Sequence, residues 1–257
     1  MNQKFIFSSI LLLFAMLWLP LGQEEFLLMN WMKIGTYAIP FLLIATSAFR
    51  NNPTKNIFQD TKLMGVLLLI LYLIHQYEEH WIDLFGNEYS FYYSVNRMLS
   101  EILSPSSPIS PLTKEAIFVI NTSLVWLVGV NAIWMSDTRI FPTFAMTAIT
   151  LVNAITHLAA GIVKWSYNPG LVTSILLFIP FTASYFHFKI RENSNFKKEI
   201  ILSIMWAVIA HILMVSGMLM ANYFHLINEK IYFTILILWS ILPIVIFRSN
   251  VTKNLKD

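Results

Sequence analysis

Long apolar runs alternate with short polar segments along this chain. A helix needs about 20 mostly apolar residues to cross the hydrocarbon core of a bilayer. Eight runs approach that length: 5–21, 31–49, 63–82, 115–135, 140–163, 170–188, 200–224 and 230–247. The pattern predicts an all-α protein, a polytopic transmembrane helix bundle of about eight spans, or seven if the first run is a cleaved signal peptide.

Two of these runs depart from a simple spanning helix. Run 5–21 is short and follows Lys4, as in a signal peptide, but its end lacks a small-x-small cleavage site. We therefore favour an uncleaved first helix. Run 31–49 is interrupted by Gly35 and Pro40, which a membrane helix tolerates where neighbouring helices cover its backbone.

Composition supports a membrane protein and removes several classes of site. Hydrophobic residues make up 57% of the 257 residues and charged residues 12%, roughly half the usual charged fraction. No repeat or low-complexity segment divides the chain, so we interpret residues 1–257 as a single transmembrane domain. Cysteine is absent, which excludes disulfides, thiolate metal sites and cysteine nucleophiles.

The Lys and Arg residues predict an orientation. If the N-terminus lies inside, 12 of the 17 fall in inner segments and 5 in outer ones, as the positive-inside rule requires of cytoplasmic loops. This predicts an integral membrane protein with both termini cytoplasmic. The charges form short clusters between apolar runs, so the expected partners are membrane lipids and not nucleic acid.

The segment 83–114 is then a long outer loop. It carries aromatic residues at Tyr89 and 91–93, which suit a membrane interface. Ser110 followed by Pro111 predicts the N-cap and first turn of the fourth span.

Two carboxylates stand out because they follow an apolar run inside the third predicted span. Glu78 and Glu79 follow the apolar run from Leu63 to Ile74. A carboxylate at that depth costs a few kcal/mol and needs a partner. The alternative is a helix that ends near Tyr77, with both carboxylates in water.

A histidine shares the helix face of these carboxylates. His75 precedes Glu78 and Glu79 by three and four residues, spacings that place side chains on one face. At about 100° per residue, His80 points roughly 140° away from His75. We therefore expect His80 at the outer interface and not in the same group.

The fifth predicted span carries a second polar pair, Asn153 and His157, four residues apart. Asn153 lies 14 residues past Arg139, and His75 lies 13 past Lys62. At about 1.5 Å per residue, the two sets should lie at matched depth in the outer half of the bilayer.

Two histidines and a carboxylate form a plausible ligand set for zinc or non-haem iron. We predict a divalent metal, zinc ahead of iron, held by His75, Glu79 and His157. Glu78 would be a general base or a further ligand, and Asn153 would orient a ligand. Two alternatives remain open: a proton relay built from the same groups, or hydrogen-bonded residues that only fix helix packing.

Three motifs stand in order along the chain: His75-x-x-Glu78-Glu79, His157 and Tyr167-Asn168-Pro169-Gly170. Together they resemble the HXXEE family of bacterial integral membrane proteins, whose function is uncharacterised. The resemblance covers about residues 63–190. It implies that Tyr167, Pro169 and Gly170 belong with the polar site, as substrate-side or supporting residues, and that the membrane is a bacterial cell membrane.

The sequence thus favours a metal-dependent membrane hydrolase or oxidoreductase that acts on a lipid or other small apolar substrate. A proton-coupled membrane transporter is the alternative. Inverted repeats would favour transport, but the His–Glu motif occurs once. The sequence leaves the substrate, reaction and oligomeric state open.

Overall fold

The structure is a computed structural model that describes residues 25–49, 56–104 and 108–245. These segments are helical, and no β-strand occurs within them, as the fold prediction required. The helices are α1 (Glu25–Phe49), α2 (Thr61–Gln76, continued by a π-helical turn at Tyr77–Trp81), α3 (Ser90–Leu103), α4 (Lys114–Met135), α5 (Phe141–Lys164), α6 (Leu171–Glu192), α7 (Phe196–Asn222) and α8 (Glu229–Val245).

Five helices of the described part are long and apolar enough to cross a membrane: α1 as far as Ile44, α4, α5, α6 and α7. Helices α2 and α8 form where the third and eighth spans were predicted. However, α2 ends in a polar string that lowers its hydropathy, and α8 has 17 residues. The run 5–21 lies outside the described residues. The structure therefore supports a helical membrane protein with five candidate spans among the described residues, and the count of about eight stays a prediction.

Helix α5 lies at the centre and contacts α2, α4, α6, α7 and α8. Small residues allow its neighbours to approach one another closely, as is common between membrane helices. At the α2–α4 contact, a Cβ added to Gly65 would stand 3.0 Å from the backbone nitrogen of Ile133. This close packing fixes the position of α2, which carries the polar string 75–80, relative to α4.

The segment 83–114 contains helix α3, which the sequence analysis did not predict. Its 14 residues span about 21 Å, too short to cross a bilayer. The predicted start of α4 at Ser110 is wrong. The side chain of Asn96 binds both the N–H and the carbonyl of Leu112, each at 3.0 Å, which holds that stretch outside the helix. Thr113 is the N-cap instead, and its hydroxyl accepts from the N–H of Ala116.

Three helices widen into π-helical turns, at Tyr77–Trp81 in α2, Asn121–Leu127 in α4 and Ser174–Phe178 in α6. Such turns are rare and occur frequently at functional sites. Residues from all three turns contact the polar side chains around His75 and His80.

Candidate metal centre

A buried carboxylate on α2 meets two histidine rings. Glu79 Oε2 lies 3.3 Å from His75 Nε2, and Glu79 Oε1 lies 3.2 Å from His157 Nε2 on α5. His75 is fully buried, and Glu79 and His157 are each 6% exposed. One ligand atom from each residue lies within 4.8 Å of the others, so this His–Glu cluster could hold a metal ion. The predicted convergence is present, and the alternative of carboxylates in water is wrong.

His80 also belongs to this group, which corrects the prediction that it lies at the interface. It is buried, and its Nε2 lies 3.0 Å from Glu79 Oε2. The reason is the π turn, in which the N–H of Ile82 binds the carbonyl of Tyr77 five residues back. A wider turn rotates less per residue, so His80 returns to the face of His75.

The ring of His75 is held from behind by Thr173 of α6. His75 Nδ1 lies 2.8 Å from the hydroxyl oxygen of Thr173, and that hydroxyl donates to Glu78 Oε2 at 2.6 Å. A hydroxyl has one proton to donate. We therefore assign the Nδ1 proton to His75, which donates it to Thr173. The Nε2 atom of the neutral ring then carries a lone pair towards Glu79.

The ring of His157 is held in the same way by Asn168. The side-chain nitrogen of Asn168 donates to the carbonyl of His157 at 3.0 Å, which fixes the orientation of the amide. Its oxygen, 2.8 Å from His157 Nδ1, therefore accepts the Nδ1 proton. His157 Nε2 is left with a lone pair that also faces Glu79.

A chain of amides orients His80. The indole N–H of Trp126, which can only donate, binds Gln76 Oε1 at 3.0 Å, and Gln76 Nε2 donates to Asn121 Oδ1 at 2.8 Å. Asn121 Nδ2 then donates to the carbonyl of Ile117 at 2.9 Å and to His80 Nε2 at 3.1 Å. His80 Nε2 is thus an acceptor as well.

Three ring nitrogens with lone pairs therefore surround one carboxylate. An ionised carboxylate is also only an acceptor. The amides of Asn121 and Asn153 donate to His80 Nε2 and His75 Nε2, but neither donates to Glu79. A positive charge between the nitrogens and the carboxylate would therefore still be favourable. The donor set, imidazole nitrogen and carboxylate oxygen, is that of zinc and non-haem iron sites, and the outward N–H bonds to Thr173 and Asn168 are the supports that metal-binding histidines usually have.

Asn153 was expected to orient a metal ligand, and the structure places it in contact with one of the predicted ligands. Its side-chain nitrogen lies 2.9 Å from His75 Nε2, the nitrogen that faces Glu79. Asn153 thus lies beside the donor atoms and lines the adjacent cavity, while Thr173 and Asn168 support the rings.

Glu78 lies behind His75 and not among the converging ligand atoms. Its Oε1 accepts from the hydroxyl of Tyr167 and the N–H of Val172, each at 3.1 Å. Its Oε2 accepts from the N–H of Thr173 at 2.8 Å and from the Thr173 hydroxyl. The carboxylate therefore caps the N-terminus of α6, where a negative charge is favourable. Its role as general base stays a prediction, but both its oxygens are engaged in support.

Tyr167 connects this cap to the segment 83–114. Its hydroxyl accepts from the N–H of Leu84 at 3.1 Å while it donates to Glu78. Burial raises the pKa of the Tyr167 hydroxyl, and the charge of Glu78 raises it further against the opposing effect of the Leu84 N–H. The phenol thus keeps the proton that it donates.

Asn168 to Leu171 form a tight turn with Pro169 and Gly170 at its centre. The N–H of Leu171 binds the carbonyl of Asn168 at 3.0 Å, and Gly170 has φ 90° and ψ −7°, the geometry of a type II turn. A Cβ on Gly170 would stand 2.7 Å from His75 Cε1 and 2.8 Å from His157 Cε1. Glycine is needed here for both rings to approach, and Pro169 fixes the turn without starting α6.

A cavity of about 310 Å³ adjoins the cluster, within the usual range for ligand pockets. It lies between α3, α4, α5 and α7, and Glu79, His80, Asn153 and His157 form its polar end. His211 of α7 also lines it, but its Nδ1 contacts the carbonyl of Ala207 on its own helix at 2.8 Å. Most of the remaining wall is apolar.

Residues 66–185 match a family model described as "Protein of unknown function with HXXEE motif". This segment is therefore similar to the HXXEE family. The match confirms the resemblance and contains all three sequence motifs, from His75 to Gly170. Neither the curated proteins nor the solved structures contain a match to the chain. The function must therefore be argued from the geometry of the site.

The sequence analysis missed His80, Thr173 and Asn168 as members or supports of the site. Asn168 is the variable position of the Tyr-x-Pro-Gly motif, and Thr173 lies three residues after Gly170 in the first helical turn. The proximity of Asn168 and Thr173 to this motif could have indicated that they support the site. His80 required knowledge of the π turn, which the apolar pattern does not indicate.

Proposed function

We propose that this protein is a metal-dependent membrane enzyme that acts on a lipid or other apolar substrate. Its divalent metal is held by His75, Glu79 and His157. The observation that carries the proposal is the convergence of histidine lone pairs on the carboxylate of Glu79. Bound there, zinc would lower the pKa of a water molecule or polarise a substrate oxygen, and iron would support oxidation.

A metal fits the cluster better than protons do. One proton bridges a single nitrogen–oxygen contact, so at least one other Nε2 would still face the carboxylate as an acceptor. Protonating both His75 and His157 would place two cations in rings 4.9 Å apart, in a buried region where like charges repel strongly. One divalent ion would satisfy His75, Glu79 and His157 together, and His80 Nε2 already accepts from Asn121. The donor set fits zinc and iron alike, and we propose zinc.

The residues around the cluster have separate tasks in this proposal. Thr173 and Asn168 hold the rings by their Nδ1 protons, and Glu78 fixes Thr173 through the N-terminus of α6. Asn153 lies at the cavity end, where its amide is placed to bind a polar group of a substrate. The apolar cavity wall supports a substrate with an apolar chain.

A proton-coupled transporter remains the second candidate because His and Glu also build proton relays. Transport requires a polar route to the opposite side. Below the cluster, α5 has buried Phe144, Met146 and Ala148, and the hydroxyls of Thr147 and Thr150 bind carbonyls of their own helix. This packing supports the enzyme over the carrier.

The proposal includes a topology of about eight spans in a bacterial cell membrane, with both termini cytoplasmic. The 12-to-5 division of Lys and Arg supports it. Helices α2 and α8 would then span the membrane together with the five longer helices.

Metal analysis of purified protein tests the proposal. The wild type, purified in detergent after growth with added zinc and iron, should hold one metal ion per chain. His75→Ala and His157→Ala should each lose it, with circular dichroism and gel filtration showing an intact fold. His187→Ala, an exposed histidine on α6, is the matched control and should retain the metal.

A wild-type protein that holds no stoichiometric metal after both supplements contradicts the proposal, and the proton relay then leads. If His187→Ala loses metal as the two cluster variants do, binding is not at the cluster. The metal content is measured on folded protein only, so a loss by unfolding is not counted.

A further inference from the structure

The cavity beside the cluster reaches the surface through the side of the helix bundle. Two of its lining residues are exposed, Thr156 on α5 and Val215 on α7. Both lie well inside candidate membrane spans. The opening between them therefore faces the hydrocarbon region of the bilayer and not water.

Helices α5 and α7 contribute their later parts to the lining of the cavity. Their earlier parts contain fully buried alanines, Ala148 on α5 and Ala207 and Ala210 on α7, which permit close helix contact. Further along, Thr156 and Val215 are exposed, and the cavity lies behind them. We infer from the two exposed lining residues that the cavity opens laterally between α5 and α7.

The opening lies at the depth of the cluster. Val215 is 17 residues past Lys198, and His157 is 18 residues past Arg139, so each lies about 26 Å beyond that basic residue at 1.5 Å per residue. An apolar molecule moving in from the bilayer at that depth reaches His157 without crossing the headgroup region. No ionised side chain other than Glu79 lines the cavity in the described part of the chain.

The inner wall accommodates an apolar chain. Leu124, Val125 and Ile149 are each at most 3% exposed and line the cavity. The volume of about 310 Å³ is near the lower limit of ligand pockets, which suits one extended chain and not a whole two-chain lipid.

We propose that one acyl chain of a bilayer phospholipid enters between α5 and α7 and occupies this cavity, with its polar end towards Glu79 and His157. That this lipid is a substrate rests on the proposed function, but its binding does not depend on the metal. The acyl chain would cover the apolar residues that line the cavity. The amide of Asn153 would then be within reach of the lipid's ester group.

A photoreactive phospholipid tests the inference. The protein is placed in lipid nanodiscs that contain a phosphatidylcholine analogue with a diazirine in the middle of one acyl chain, and labelled residues are mapped by mass spectrometry. We expect label on Leu124 and Ile149, which lipid at the outer surface of the bundle cannot reach. Ala160→Trp, at the rim of the cavity, should reduce that label by about tenfold or more.

Ala159→Trp is the matched control, because Ala159 is the exposed neighbour on α5 and does not line the cavity. It should leave the inner label unchanged, and Val215→Trp should repeat the effect of Ala160→Trp. Label confined to exposed residues of wild type overturns the inference, as does inner label that both rim variants retain.

The metal content of the same samples separates this inference from the proposed function. Label on Leu124 and Ile149 in a protein that holds no metal would support the acyl-chain site and contradict the metalloenzyme proposal. Bound metal without label on the inner residues would contradict the acyl-chain site and leave the metalloenzyme proposal intact. Gel filtration of each variant confirms that only folded protein is compared.

Discussion

Gly170 and His75 are in direct backbone-to-ring contact: a Cβ at Gly170 would stand 2.7 Å from His75 Cε1. This contact joins the two ends of the HXXEE segment. The His-x-x-Glu-Glu string supplies the ring and the carboxylates, and the Tyr-x-Pro-Gly turn supplies the space beside the ring. Each motif requires the other, which gives a physical reason for their occurrence in one family.

The first prediction follows from that contact. Gly170→Ala should displace the rings of His75 and His157, because its Cβ would lie within 2.8 Å of both. We expect metal affinity to fall by about 10–100-fold, the usual effect of disturbing the support of metal ligands. Titration with zinc and a competing chelator measures it.

Gly86→Ala is the matched control for this change. Gly86 also has a positive φ, 82°, but nothing lies within 4 Å of its Cβ position. The Gly86→Ala variant therefore has the same kind of backbone strain as Gly170→Ala but no clash with a neighbouring side chain. Equal losses of metal affinity in the two variants would show that strain, and not contact with the rings, is responsible.

The sequence predicted the helical fold and the central contacts for identifiable reasons. The apolar runs gave the positions of α4 to α8 within a few residues, and matched depth placed His157 beside Glu79. It did not predict α3, whose polar and aromatic residues resemble a loop. It also missed the position of His80, because the prediction used 3.6 residues per turn and the π turn has more.

The second prediction separates the two adjacent carboxylates. Glu79→Gln should abolish stoichiometric metal, because Glu79 contacts all three histidines. Glu78→Gln should retain metal at reduced affinity and lower the thermal stability, since its side chain caps α6 through Val172 and Thr173. Metal analysis and thermal unfolding distinguish them. The reverse pattern would assign Glu78 to the metal.

The third prediction concerns the hydroxyl between His75 and Glu78. Thr173→Val removes the acceptor of the His75 Nδ1 proton and should weaken zinc binding by about 10–100-fold, and Thr173→Ser should restore it. Thr182→Val is the control on the same helix, where the hydroxyl binds only backbone carbonyls of its own helix. Unchanged zinc affinity in Thr173→Val would argue against the assigned Nδ1–H.

The fourth prediction tests the topology. The chain contains no cysteine, so each introduced cysteine is a unique label site. Glu88→Cys and Ser194→Cys, both exposed, should react with a membrane-impermeant maleimide from opposite sides: Glu88→Cys in intact cells, and Ser194→Cys only after lysis. Labelling in the reverse order would invert the orientation that the Lys and Arg residues predict.

The last prediction tests the lone pair of His80, on which the electrostatic argument partly depends. Asn121 donates to His80 Nε2 at 3.1 Å, so that atom should carry no proton. Asn121→Leu removes the donor and frees Nε2 to take a proton and donate it to Glu79 Oε2, 3.0 Å away. A carboxylate oxygen held by that hydrogen bond is a poorer metal ligand, and zinc affinity should fall by about tenfold. Nitrogen NMR of labelled histidine measures the protonation of His80 directly.

Asn131→Leu is the control for this change. Asn131 is a buried amide on the same helix, and its side chain has no hydrogen-bond partner among the described residues. The variant should change neither the zinc affinity nor the protonation of His80. A protonated His80 Nε2 in wild type would reduce the converging lone pairs from three to two and leave His75 and His157 as the only nitrogen acceptors that face Glu79.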